Sequence, residues 1–279
     1  MKKNKNKIFY CIFAALFLIM TIGPFIWTFI ISITPEYGMF SKSAGLIPDA
    51  VTWDNIKMIL NPSTRQGSLF LSGVLNSLKA SAVTIAVGIP SAVLSAYALE
   101  KMEFKGRKFI RNTLLFTMAI PVMATIIPIY RIFSVNQLLD NIFWLSLVYV
   151  SSFLPVATWL MSNYFATIPK ELEEAAYIDG CSQMEAFVRI VLPTSVPAII
   201  STVLIMFLST WSQFQIPLIL ASSKATKPIA VVTSEFMTKD AVNYGLTAAA
   251  GLAALIPAVL LVLFLKKYII SGMTGGAVK

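Results

Sequence analysis

The sequence predicts an all-α membrane protein: six membrane-spanning helices in a single domain, residues 1–279, with a helix-turn-helix loop at about 166–194. Three observations predict it. The chain is 57% apolar and only 13% charged, about half the charged share of a soluble domain, and its mean hydropathy is +0.77. The apolar residues fall in blocks of roughly twenty, the length a helix needs to cross hydrocarbon, and not in period-two or period-3.6 stripes. The basic residues gather between alternate blocks, as the positive-inside rule requires.

The first span is expected at about Ile8–Ile33, after Lys2, Lys3, Lys5 and Lys7. Those lysines resemble the n-region of a signal peptide. The apolar block runs too long for an h-region and no clean cleavage site follows, so a retained helix is expected. A long polar segment, Thr34–Lys79, comes next. Within it Thr52 is a plausible N-cap for a short surface helix carrying Trp53, Ile56, Ile59 and Leu60. The remaining spans are expected at about Ala80–Leu99, Phe109–Tyr130, Ile142–Phe165, Ser195–Ala221 and Leu246–Leu265, with a second sizeable outer segment at Ser222–Gly245. Each span contains proline: Pro24, Pro90, Pro121 with Pro128, Pro155, Pro197 with Pro217, and Pro257. Proline frees a carbonyl and bends a helix. A bundle that rocks around a pathway and the ordinary proline usage of membrane helices both account for it.

With the N-terminus inside, fourteen of the 22 basic residues fall on inner segments and their flanks, and eight fall outside. Both termini and the 166–194 loop then lie in the cytoplasm. The formal charge of +9 is accounted for by loop retention and anionic lipid headgroups. No basic stripe with interleaved aromatics is present, so nucleic acid is not expected as a partner. The chain has no histidine, which removes the commonest general base and metal ligand. Cys11 and Cys181, the two cysteines, are placed apart, so neither a disulfide nor a metal site is expected.

The 166–194 loop has its own physics. Pro169 suits a helix start. Glu171, Glu173 and Glu174 lie near the positive end of the dipole of a helix over Lys170–Asp179. Gly180 suits a stop at positive φ. Ser182-Gln183-Met184-Glu185 reads as a capping box opening a second helix, which Pro193 limits. The product is a knob in which Ala175 and Ala176 let a partner approach closely. An amphipathic loop lying on the membrane surface is the bland alternative.

The same residues carry a resemblance. Glu174-Ala175-Ala176, three residues, Gly180, nine residues, then Ile190-x-Leu192-Pro193 fills all seven fixed positions of the EAA loop of ABC importer permeases. Leu75-Asn76-Ser77-Leu78, Ala96–Leu99 with Phe104–Arg107, Ile127–Tyr130, Ile168–Leu172 and the tail Gly272–Lys279 also fit, and they resemble the six-span carbohydrate group of maltose-type permeases. The resemblance implies that Glu174, Ala175, Ala176, Asp179, Gly180, Ile190, Leu192 and Pro193 couple the chain to an ATPase. It implies a pair of ATP-binding subunits, a second permease subunit and an extracytoplasmic sugar-binding protein as partners, with no bound cofactor. It implies a multi-pass place in a bacterial-type cell membrane.

One position departs from the family pattern. Trp-Asn-Glu-Phe of the fifth span is here Trp211-Ser212-Gln213-Phe214, so the role of an acid there does not carry over. Trp211, Gln213 and Gln215 are candidate pathway residues; an interhelical hydrogen bond explains the glutamines equally well. No phosphate-loop sequence is present, so ATP hydrolysis is expected on another chain and this chain is not expected to be an enzyme. A self-sufficient secondary transporter is the alternative. The predicted span centres hold no ionisable residue, which argues against proton coupling.

Overall fold

A computed structural model describes residues 2–39, 48–237 and 243–274. Parts of both outer segments, 40–47 and 238–242, and the end of the chain after Thr274, Lys279 included, lie outside the described residues. Fourteen α-helices are described: α1 Lys2–Ile33, α2 Glu36–Met39, α3 Asp54–Leu60, α4 Arg65–Lys101, α5 Arg107–Thr117, α6 Val122–Val135, α7 Ile142–Phe165, α8 Lys170–Ile178, α9 Gln183–Ala186, α10 Leu192–Thr194, α11 Val196–Trp211, α12 Gln215–Leu220, α13 Ile229–Glu235 and α14 Tyr244–Thr274. A π-helical turn, Phe187–Val191, joins α9 to α10.

Four of these helices are long and apolar enough to cross a membrane: α1, α4, α7 and α14. Two bent pairs raise the number to six when each counts as one span. The fourth expected span coincides with α7, whose start is fixed by the Asn141 side chain accepting from Phe143 N–H at 2.9 Å. The first and sixth agree closely with the apolar stretches Phe9–Ile33 and Tyr244–Lys267 of α1 and α14; the second, third and fifth are corrected in their bounds. The second span is part of a 37-residue helix beginning at Arg65, about 55 Å long at 1.5 Å per residue. The third breaks between Thr117 and Val122, where α5 and α6 meet at 95°. Pro121 stands at that break in an extended conformation, because its ring disfavours continuing the helix before it. The fifth ends at Trp211 and resumes at Gln215. Its other end meets the Gln183–Thr194 arm at 72°. Thr52 does not cap α3 from the N-cap position; its hydroxyl accepts from Asp54 N–H at 3.1 Å one residue too early.

The chain divides into two compact units, residues 1–72 with 232–256 and residues 73–231 with 257–279. In the first, α3 is tied to the end of α1. Asn55 Nδ2 donates to Ser32 O at 3.0 Å, Thr52 N–H donates to Ile33 O at 2.7 Å, and Trp53 sits edge-on to Phe29. Along α1, from Phe9 to Phe29, large apolar side chains stay uncovered, as a helix facing lipid allows.

Among the described residues of the second unit, two apolar clusters stand out. One joins Ala80 on α4, Ile126 on α6, Leu145 and Tyr149 on α7, and Ile216 and Leu220 on α12. The other runs from Ile89, Val93 and Tyr97 on α4, through Met161 and Phe165 on α7 and Met206 on α11, to Phe187 and Val191. The second cluster therefore leaves the membrane helices and enters the root of the 166–194 loop.

Candidate functional site

The 166–194 loop is built from local rules. Pro169 takes the N-cap place of α8, not its first turn, with ψ at 137°. α8 ends in a Schellman motif: Cys181 N–H donates to Ala176 O at 2.9 Å and Gly180 N–H to Tyr177 O at 3.1 Å. That closure needs a left-handed residue, and Gly180 supplies it at φ +86°. Two residues on, Ser182 and Glu185 form a reciprocal capping box. The Glu185 carboxyl is held below its usual range by hydrogen bonds from Ser182 and the charge of Arg189.

The second arm does not stop at Pro193. Its helical path continues through the π-helical turn and α10 to the bend at Ser195. Carbonyls along this stretch find hydroxyl donors: Thr194 Oγ1 donates to Ile190 O at 2.9 Å, and Ser195 Oγ to Val191 O at 2.6 Å. Pro193 limits an ordinary α-helix, but the wider π turn before it, and the hydroxyls that serve its carbonyls, have no simple sequence pattern.

Glu174, Ala175, Asp179, Gly180 and Pro193 are exposed, while Ile190 and Leu192 are half-buried. Ala176 is buried at 3% exposure and packs inward. The apolar residues at the tip are different ones. Ile178 is 86% exposed, and Tyr177, Met184 and Val188 stand open beside it in the chain. No period marks them in sequence, because a turn and two short arms bring them to one end.

Beneath the tip lies a buried ionic group. Lys101 Nζ, at the end of α4, meets Glu173 Oε1 at 2.9 Å, with the two side chains 5% and 8% exposed. The same ammonium donates to Ile168 O at 2.9 Å. Tyr97 O–H donates to Glu173 Oε2 at 3.1 Å. The Tyr97 ring packs on Phe187 at 4.5 Å between centroids and edge-on against Phe165. Neighbouring Glu100 turns elsewhere, pairing with Arg111 and Arg107. Glu173 is expected in the first turn of α8, but its pairing with Lys101 and Tyr97 has no signal in the sequence, because the partners lie far apart in the chain.

The candidate pathway residues gather at the break between α11 and α12. Trp211 is buried and stacked on Phe207, with centroids 5.4 Å apart. Gln213 Oε1 accepts from Gln215 N–H at 3.1 Å, a local bond at the start of α12 and not a link between spans. The following segment is held from two sides. Asp140, in the turn before α7, accepts from Ser222 and Ser223 N–H at 2.9 and 2.8 Å and from the Thr226 hydroxyl. Burial pushes the Asp140 carboxyl up, but these hydrogen bonds outweigh it and hold the group at about 2. From α4, Asn76 Nδ2 donates to the carbonyls of Lys224 and Lys227 at 3.0 and 3.1 Å, and Ser77 Oγ accepts Ile229 N–H at 2.9 Å. Asn76 and Ser77 of the Asn-Ser-Leu element thus hold the segment leading to α13.

Residues 85–275 match the family described as the binding-protein-dependent transport system inner membrane component. This chain belongs to that family. The matched region takes in the 166–194 loop and residues 85–101 of α4, so in this inner membrane component the loop and its contacts at Tyr97 and Lys101 lie within the matched bounds. Its relatives include the trehalose transport system permease protein SugB of Mycobacterium tuberculosis, 30% identical over 92% of this chain and 92% of the relative. The diacetylchitobiose uptake system permease protein DasC of Streptomyces coelicolor is 30% identical over 95% of each. The trehalose/maltose transport system permease protein MalG of Thermococcus litoralis is 28% identical over 98% of this chain and 97% of the relative. In solved structures the fold recurs in a bacterial ABC transporter involved in the import of the acidic polysaccharide alginate. The TM-score is 0.80 at 20% identity, over 96% of this chain and 98% of that chain. This component is a membrane protein and a transport permease.

Proposed function

We propose that the chain is a transmembrane subunit of an ATP-driven importer that moves a sugar or oligosaccharide across the cell membrane. The observation that carries the proposal is the α8–α9 knob: a rigid bend at Gly180 holding Ile178 and Met184 out at its tip, within the seven-position EAA pattern. The tip is apolar, and Glu174 and Asp179 near it are exposed. Such a tip fits a cleft lined by apolar and basic groups on an ATP-binding subunit. The sugar-permease relatives support the cargo class. A pair of ATP-binding subunits, a second permease subunit and an extracytoplasmic sugar-binding protein complete the assembly. In this reading both termini and the knob face the cytoplasm, and ATP is hydrolysed by the partner chains.

The test is reconstitution. The chain is co-expressed with ATP-binding, second permease and sugar-binding proteins from the same organism and placed in liposomes. Trehalose, maltose and diacetylchitobiose are then offered as labelled cargo. Uptake that requires ATP and all four components is the expected result. Uptake by this chain alone, driven by an ion gradient, would establish a secondary transporter instead.

A further inference from the structure

We infer that Lys101, Glu173 and Tyr97 form a joint that carries movement of the α8–α9 knob into α4. They are positioning residues, and the inference rests on the proposal that an ATPase grips the knob.

Most contacts at the root of the knob are apolar, including Phe187 and Val191 against Tyr97 and Phe165. Apolar contact resists separation but is non-directional, so it tolerates sliding. The ionic group differs in kind. Lys101 Nζ reaches both Glu173, in the first turn of α8, and Ile168 O, in the segment entering it, each at 2.9 Å. Glu173 takes a further hydrogen bond from Tyr97. With the two charged side chains 5% and 8% exposed, water does not replace a partner that moves away. Even a small displacement strands a charge in a low-dielectric site, so the group resists any motion that separates its members.

The geometry also selects α4 as the receiver. Tyr97 and Lys101 are four residues apart and share one face of that helix. Tyr97 touches both arms of the knob, α8 through Glu173 and the second arm through Phe187. The two arms therefore turn about one side chain of α4. Glu100 does not compete for Lys101, since Arg107 and Arg111 engage it.

The decisive variant is the double substitution Lys101→Met with Glu173→Gln, which removes both charges and leaves neither unpaired. It is made in the complete reconstituted importer with its ATP-binding subunits and binding protein. Co-purification of the ATPase, ATP hydrolysis and sugar uptake are measured together. The expected result is normal membrane level and normal ATPase docking, with sugar moved per ATP reduced at least tenfold. A wild-type ratio overturns the inference. So does loss of docking at a normal membrane level, because that would place the pair in assembly and not in transmission. If the double variant does not accumulate, Tyr97→Phe decides. It keeps the ring and removes one donor; a fall of about threefold in the ratio supports the joint, and a wild-type ratio overturns it. Gly180→Val and Glu174→Lys separate the two proposals. Wild-type docking and uptake in both of those variants remove the proposal that the ATPase grips the knob. A defect there beside a wild-type ratio in the double variant removes only the joint.

Discussion

The carboxylate of Asp140 accepts the backbone N–H of Ser223 at 2.8 Å, tying the turn after α6 to the segment after α12. The same oxygen serves Ser222 and Thr226, so one side chain organises a whole turn. Its carboxyl is held at about 2, below the ordinary value of 3.8. A depressed carboxyl contributes its stabilisation above the ordinary value and loses it as pH falls through the folded one. The 222–226 turn should therefore loosen between pH 3.8 and about 2. Asp140→Asn tolerates the left-handed backbone at φ +57° but lacks the charge. It should weaken the turn at neutral pH by about 1 kcal/mol, allowing for solvent screening of a half-exposed group, and abolish the acid step. Amide exchange at Ser223 across this pH range measures both; an acid step that persists in Asp140→Asn would assign it to another group.

Gly180→Val and Glu174→Lys should disable the knob in different ways. Beyond its chain neighbours no atom lies within 4 Å of a Cβ built at Gly180, so crowding at Cβ is not the obstacle. The left-handed backbone at φ +86° sets a cost of about 1–2 kcal/mol, and the two arms should re-aim. Glu174→Lys keeps the bend and reverses an exposed charge at the proposed interface. Both variants should insert normally and lose ATPase co-purification and sugar uptake, while sugar still binds the separate binding protein. Normal co-purification and uptake in both would remove the 174–193 segment from coupling.

Topology is testable by single-cysteine labelling in a background without Cys11 and Cys181. Cysteine placed at Lys105 or Gln183 should resist an impermeant reagent added from outside and react after permeabilisation. Labelling of intact cells at either position would invert the assigned orientation.

Two glycines should respond oppositely to alanine. At Gly67 a Cβ would collide with the backbone carbonyls of Asn61 and Met58, which the α3–α4 turn cannot easily yield. Gly67→Ala should cost about 1–3 kcal/mol, as overpacking typically does. At Gly88 the close atoms are the thioether end of Met206 at 2.9 Å, a flexible chain that can swing aside. Gly88→Ala should be nearly neutral. Thermal inactivation of the purified complex ranks the two; equal loss at both would mean that Met206 is locked.

Sequence and structure agree where the signal is local. The bounds of α7, the positive φ of Gly180 and the Ser182–Glu185 box each depend on residues within a few positions of one another. The disagreements come from two sources. An apolar block says nothing about where a helix ends once it leaves the hydrocarbon. Arg65, Gln66, Asn76 and Lys79 thus hid the first turns of α4. Hydropathy is also continuous through the break at Pro121, so one apolar block holds two helix directions. At the candidate site, the Gly180 bend and the exposed Glu174 were legible. The pairing of Lys101 with Glu173 was not, because it exists only once α4 and α8 are packed together.

The unbroken run of α4 has a further consequence. Asn76 and Ser77 grip the 224–229 segment near one end of it, and Tyr97 and Lys101 grip the knob near the other. About 36 Å of helix separates Ser77 from Lys101, more than the roughly 30 Å of a hydrocarbon core. Both grips depend on the direction a side chain points around the same axis. One residue inserted between them would rotate one grip by about 100° against the other, while seven would nearly restore the angle but lengthen the span by about 10 Å. The stretch from Ser77 to Tyr97 is therefore fixed in residue count as well as composition. Substitutions on its lipid face leave the phase intact, whereas a single insertion or deletion puts the two ends out of register.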